Sequence, residues 1–288
     1  MTGARALIAI PMLAVAAAAA LGAARPADAV ELPLWEAGVG PTGLYLPDYR
    51  GSNQSRGYVY PLPYVIYRGE RFRIDRDRLR QLLFGSDRLE LEVNANGNVP
   101  VKSSRDEARN GMPDLDPVAE IGPGLKYTAW KSDNPRRELT LRLPARAAFA
   151  VATNFSHVHF IGWVFQPGIG MDWYNLNLAG SPGWNTGVIA SVIANTRHYN
   201  QYYYSVQPAF ATPERAAYDA PGGSAGEQLT FTLSKRFTRF WMGAFARYDS
   251  VRGGSFTASP LVRTRQNIEG GVAVAWIFGQ SDRMVDVP

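Results

Sequence analysis

The chain of 288 residues has no cysteine and only three histidines, His157, His159 and His198, and these limit the chemistry it could perform. A hydrolase needs a nucleophile, a base and a group that orients the base. Ser156 stands beside His157, but neighbours on an extended strand point to opposite faces, which argues against a dyad. His157 and His159 share a face, so a metal pair is conceivable, yet no carboxylate follows at a recognisable spacing to complete a ligand set. His157-Val158-His159-Phe160, beside the Thr153–Ser156 turn, reads better as an aromatic girdle at a membrane interface. His198 lies near Tyr202, Tyr203 and Tyr204 and could meet a ligand at the mouth of a barrel, with girdle packing again favoured. Asp48, Asp114, Asp116 and Asp219 could hold Ca²⁺ or bridge lipopolysaccharide through divalent ions, but their spacing matches no calcium loop. The residues therefore read as those of a non-enzyme, with no catalytic residue, cofactor or metal site.

The elements that carry these residues have a period of two. From Glu227 to Ser234, Leu229, Phe231 and Leu233 alternate with Gln228, Thr230, Thr232 and Ser234. The same alternation runs through Leu89–Asn96, Val118–Trp130 and Leu139–Ala147. It places Glu90, Glu92, Glu120, Lys126, Arg142 and Arg146 on polar faces opposite rows of leucine, isoleucine and alanine. A soluble sandwich would turn the polar face out, whereas an outer-membrane barrel turns it into the lumen, where opposite charges must pair. Further strands are predicted at Leu34–Leu46, Tyr58–Asp75, His157–Trp173, Trp184–Tyr204, Trp241–Ser250 and Gly271–Phe278.

The expected fold is an all-β, transmembrane, antiparallel up-and-down β-barrel of ten strands. Twelve is the alternative if Arg71–Asp75 returns as a separate strand through Arg68-Gly69. The four longest polar connections, Asp48–Gly57, Lys102–Leu115, Ser205–Gly226 and Val251–Asn267, each follow an odd-numbered strand, which puts them all at the outer end. The short turns Ser132–Arg136 and Tyr174–Gly183 then face the periplasm. A barrel of this size should be largely filled by its own side chains, which favours a structural lumen over a wide pore and leaves a narrow solute channel as an alternative.

Residues 1–29 have the form of a cleaved export signal: Arg5, then the apolar run Ala6–Leu21, then Ala27-Asp28-Ala29 as the cleavage site. The remainder, 30–288, is one domain ending in a polar tail at 279–288, just after Val272, Val274, Trp276 and Phe278 on one face. No later segment reaches the roughly 18 apolar residues of a spanning helix, so a membrane location requires a barrel. Removing the signal takes the formal charge from +5 to +4, too weak for a nucleic-acid partner. Without cysteine there is neither a disulfide frame nor a lipidated cysteine to anchor the chain.

Five short stretches in order complete the reading: Gly43-Leu44-Tyr45-Leu46-Pro47-Asp48-Tyr49-Arg50-Gly51-Ser52, Tyr60-Pro61-Leu62-Pro63-Tyr64, Arg109-Asn110-Gly111-Met112-Pro113-Asp114-Leu115-Asp116-Pro117, Tyr202-Tyr203-Tyr204 and Ser259-Pro260-Leu261-Val262. Together they resemble the MipA/OmpV family of outer-membrane proteins. The resemblance implies a bacterial outer-membrane barrel acting as a scaffold that contacts a lytic transglycosylase and a peptidoglycan synthase. Other members are described as adhesion or stress-response proteins. It carries over no catalytic residue. In physical terms Pro47, Asp48, Tyr49, Gly51 and Ser52 suit a strand exit and turn, and Met112, Pro113 and Asp114 stiffen a loop.

Overall fold

The computed structural model describes residues 30–69, 72–75, 78–82, 88–132 and 137–287, so the predicted signal and its cleavage site lie outside the described residues. A short β1 (Val30–Pro33) leads into β2 (Trp35–Pro47), β3 (Ser55–Arg68), β4 (Phe72–Asp75), β5 (Arg78–Leu82), β6 (Leu89–Asn98), β7 (Val118–Lys131) and β8 (Arg137–Val151). Then follow β9 (Val158–Phe165), β10 (Gly168–Leu178), β11 (Ser181–Asn195), β12 (Gly223–Arg236), β13 (Phe240–Ser250), β14 (Gln266–Gln280) and β15 (Met284–Val287). Each of β2 to β14 pairs antiparallel with its sequence neighbour except β9 and β10. These two segments continue one another along the same partners, both pairing with β8 on one side and β11 on the other. Pro167, which has no N–H to give a ladder, marks the break between them. With β14 paired to β2, the ladder returns to its start as a ring of twelve strands.

The count is therefore twelve rather than ten. The predicted Tyr58–Asp75 strand divides into β3 and β4, and β4 folds back on β5 as a short hairpin. Inserting a hairpin adds two strands and leaves the parity of every later loop unchanged. The four long connections do lie together at one end, where Tyr49, Val101, Leu115, Tyr204, Val206, Phe256 and Leu261 form one buried cluster.

The direction of the faces identifies the solvent. Along β7, Val118, Glu120, Gly124, Lys126 and Thr128 are buried while Ala119, Ile121, Leu125 and Tyr127 are exposed. Along β14, Asn267, Glu269, Ala275 and Ile277 are buried while Ile268, Val272, Val274, Trp276 and Phe278 are exposed. A water-soluble sandwich could not leave those rows of apolar side chains uncovered, and a barrel in lipid needs them there. Trp35, Trp130, Tyr127 and Trp276 mark one rim and Tyr45, Phe155 and Phe160 the other, as interfacial aromatic belts.

Three further departures have local causes. The predicted strand Trp184–Tyr204 ends at Asn195, and Arg197–Tyr204 forms a helix, α1, leading into the third long connection. Tyr199 and Tyr203 sit one turn apart on its buried side, so packing overrides the strand preference of tyrosine. The predicted turn Tyr174–Gly183 is mostly strand: β10 and β11 meet through Ala179 and Gly180 alone, at φ of 50° and 79°, the left-handed pair a two-residue hairpin turn requires. The polar tail is not free, because β15 pairs with β1 as a two-stranded ribbon beyond the barrel.

Candidate functional site

The inner face carries charged side chains in tiers. In the tier nearest the long loops, Glu120 accepts from Arg146 Nε at 2.9 Å and from the Tyr199 hydroxyl at 2.9 Å. Arg146 Nη2 donates to Gln166 Oε1 at 2.7 Å, and Gln166 Nε2 donates to Ser191 Oγ at 3.0 Å and Gln228 Oε1 at 2.7 Å. Gln228 Nε2 then donates to Asp249 Oδ1 at 3.0 Å, which also accepts from Arg50 Nε at 2.8 Å. This chain of contacts follows the inner wall over successive strands from β7 to β13. In the middle tier Lys126 lies 3.6 Å from Glu90 and 3.5 Å from Glu138, and Arg142 pairs with Asp172 at 2.8 Å. Glu92 is buried on the same face of β6. At the opposite end Glu36 accepts from Arg236 at 2.9 Å and from the Tyr64 hydroxyl at 2.8 Å. Buried charge on this scale is tolerated only when paired.

Above the first tier the long connections form a cap. Tyr204 stacks on Phe256 with ring centroids 3.7 Å apart and its hydroxyl donates to Arg50 O at 3.0 Å. Arg109, buried among them, donates to Tyr203 O at 3.1 Å and Pro113 O at 3.1 Å. Arg215 closes the remaining carbonyls, donating to Ala108 O at 3.0 Å and Asn110 O at 2.8 Å. Burial and the Glu120 charge push the Tyr199 hydroxyl well above its ordinary range, so it stays neutral and donates. Burial raises Tyr202 to about 12.

Asp48 also lies in the cap, at the start of the first long connection. Burial raises its pKa despite the Arg56 guanidinium 2.9 Å away, and Asp106 raises it further. A carboxyl whose folded pKa is raised binds its proton more tightly when folded, so its contribution to stability grows as pH falls through that pKa and levels off below about 3.9, the unfolded value. Asp48→Asn should therefore flatten part of the pH dependence of thermal unfolding in that acid window. An unchanged profile in detergent-solubilised protein would count against this role.

The histidines are placed otherwise than expected in one respect. Ser156 Oγ and His157 Nδ1 are 3.0 Å apart, because β9 begins only at Val158 and both residues lie in an irregular turn where the alternation rule does not hold. Both are exposed, and the only described contact of the His157 ring beyond Ser156 is stacking on His159, 5.9 Å between centroids. His159 packs edge-on against Tyr202 and His198 against Phe160. No group of three or more metal-ligating side chains occurs among the described residues. Asp114 accepts from Ser103 N at 2.7 Å, while Asp219 pairs with Arg197 on the rim, so the loop carboxylates are dispersed.

A comparison with protein-family models matches residues 39–278 to the family described as MltA-interacting protein MipA. The chain belongs to the MipA family. The match begins inside β2 and ends inside β14, so it takes in both cap and barrel. A comparison with curated proteins gave no match. Among solved structures the fold is similar to a bacterial polysaccharide outer membrane secretin at 10% identity and a TM-score of 0.37, covering 84% of this chain and 98% of that one. It is also similar to the CymD monoaromatic hydrocarbon channel, at 10% identity and 0.29, covering 85% and 87%, and to the Pseudomonas putida toluene transporter TodX, at 10% identity and 0.26, covering 91% and 72%. Scores this low carry no functional weight.

In this MipA family member four of the five stretches that carry the resemblance meet in the cap, and Tyr60–Tyr64 lies in β3. The Tyr49 hydroxyl donates to Leu261 O at 2.8 Å, joining the first motif to the last. Gly51, at φ 93°, donates from its N–H to Asn267 Oδ1 at 2.7 Å, and its carbonyl accepts from Arg263 N at 2.8 Å and Thr264 N at 3.0 Å. Ser52 Oγ donates to Asp106 Oδ2 at 2.9 Å, and Ser103 Oγ to Pro113 O at 2.6 Å. Pro47 ends β2 and Met112 packs against the buried cluster. The sequence reading missed Asp106, Arg215, Asn267 and Asp249, all buried: the first two lie in long connections and the last two at the loop ends of β14 and β13, where polar residues look like solvated surface.

Proposed function

We propose that this protein is a non-enzymatic outer-membrane scaffold beside the cell wall, exported through a signal cleaved after Ala29, that engages a lytic transglycosylase and through it a peptidoglycan synthase. One observation carries the reading: the long connections pack into one buried cluster over the outer end of the barrel, which opposes a through-path for solute and leaves the periplasmic rim to meet a soluble partner. The name of the family, MltA-interacting protein, supports the same partner class. At that rim the β1–β15 ribbon adjoins a cleft lined by Glu31, Leu32, Lys235, Phe237, Arg239 and Phe240. Phe237 and Phe240 stack at 4.3 Å beside Arg236 and Arg239, the aromatic and arginine composition that interfaces favour. Lipopolysaccharide and phospholipid surround the exposed apolar band.

A photo-crosslinker at Arg239 should capture a peptidoglycan enzyme in isolated envelopes, and one at Phe155 on the far rim should not. Recovery of none, under conditions that trap a known envelope complex, would sink the scaffold reading. In planar bilayers the protein should give no steady conductance. Steady current that changes on charge reversal at Arg142 or Glu120 would replace the scaffold with a narrow channel.

A further inference from the structure

Two of the three histidines stand together at the outer mouth, inside the lipid-facing belt. In the β8–β9 register Val158 and Phe160 lie opposite Val151 and Phe149 on the outer face, and His159 lies opposite Ala150, whose side chain is buried within. His157 continues that inner side, since its carbonyl accepts from Ala152 N at 3.0 Å on the neighbouring strand. Both rings are exposed, with centroids 5.9 Å apart and planes inclined by 25°. Tyr202 holds His159 edge-on, with 6.0 Å between centroids. His198 stands apart, against Phe160.

The surroundings favour a cation. Among the described residues, neither ring bonds to or stacks on an arginine or lysine. Asp116 lies on the other side of Tyr202, where its N–H donates to the tyrosine hydroxyl at 2.9 Å, and its carboxylate pairs with no cation among the described residues.

The spacing suits a chelate. Side chains at i and i+2 of an extended segment share a face about 7 Å apart at the backbone. A metal–nitrogen distance of about 2.0–2.1 Å sets the centroids of two imidazoles on one ion about 5 Å apart. From 5.9 Å the rings need approach by only about 1 Å, a small rotation for exposed side chains. The turn also orients one ring. His157 Nδ1 lies 3.0 Å from Ser156 Oγ, and a proton donated from Nδ1 to that hydroxyl leaves the lone pair on Nε2, as acceptors behind metal-bound histidines do. Two neutral nitrogens are poor ligands for Ca²⁺ or Mg²⁺, which take oxygen. They suit late divalent transition metals, Cu²⁺ most tightly and Zn²⁺ less so.

We propose that His157 and His159 together chelate one divalent late transition-metal ion at the outer mouth, with its remaining coordination positions open to water. This site does not depend on the scaffold reading.

Histidines are so few, and cysteine so absent, that the test is direct. The protein, purified from envelopes without a histidine tag, is titrated with Cu²⁺ in detergent and followed by electron paramagnetic resonance. One tight equivalent with two nitrogen donors is expected. His157→Ala and His159→Ala should each weaken it on the order of a hundredfold, because a lone ring loses the advantage of two donors held together. Ser156→Ala should weaken it about tenfold, the usual effect of freeing a bound histidine from its acceptor. His198→Ala, which removes the remaining imidazole, should leave it unchanged. Zn²⁺ should compete and excess Ca²⁺ should not. Both rings are exposed, so the barrel should survive either change, and circular dichroism checks that it does. Tight binding that persists in both single variants, falls in only one of them, or is lost in His198→Ala overturns the chelate. Displacement by Ca²⁺ would give the ion to carboxylates instead, and no tight equivalent in the unaltered protein overturns the site.

Discussion

Replacing Glu120 with alanine should destabilise the folded barrel by about 3–5 kcal/mol, the usual cost of removing one partner of a buried ion pair. Arg146, itself buried, loses its 2.9 Å acceptor, and the Tyr199 hydroxyl loses its own at the same distance. Arg146 keeps only the neutral Gln166 oxygen at 2.7 Å, and a buried charge without its counter-charge costs more than the pair ever gained. Glu120→Gln should cost less, because an amide oxygen can still accept from Tyr199. Combining Glu120→Leu with Arg146→Met removes both charges together and should cost far less than the sum of the single changes. Thermal unfolding in detergent, run as a double-mutant cycle, reads the coupling. Additive single effects would mean that Glu120 and Arg146 do not act as a pair.

Much of this architecture was legible because a strand has a side-chain period of two, which admits no drift. Once Glu120, Lys126, Arg142 and Arg146 were read as one face, the opposite face followed, and loop parity survived even the wrong strand count. The hairpin β4–β5 stood only as the twelve-strand alternative because two strands of four and five residues are too short to show a period. Helix α1 was hidden by its composition: three consecutive tyrosines favour a strand, and only the pocket made by the other loops turns Tyr199, Tyr203 and Tyr204 into a helix face. The cap was illegible for a related reason. Asp106, Arg109 and Arg215 become a buried network only when connections distant in the chain meet, and no local pattern encodes that meeting.

Tyr204→Ala should loosen the cap while leaving the barrel in place. The side chain is fully buried, stacks on Phe256 at 3.7 Å and bonds Arg50 O, so its truncation should cost about 3–5 kcal/mol, as large aromatic-to-alanine changes in cores do. That loss falls on loops rather than on the closed strand ladder, so the cap should open locally, below the free energy of global unfolding. The readout is cleavage of the outer connections by protease added to intact cells, with the membrane-embedded part retained. Tyr204→Phe keeps the stack and loses one hydrogen bond, about 0.5–1.5 kcal/mol, and should stay resistant. Conductance tests whether the cap is the barrier. The bonds from Arg146 through Gln166 and Gln228 to Asp249 follow the wall over successive strands, so closure falls to the cap above them. Tyr204→Ala should therefore pass current in planar bilayers where Tyr204→Phe stays silent. A silent Tyr204→Ala whose outer connections are cleaved would place the barrier below the cap.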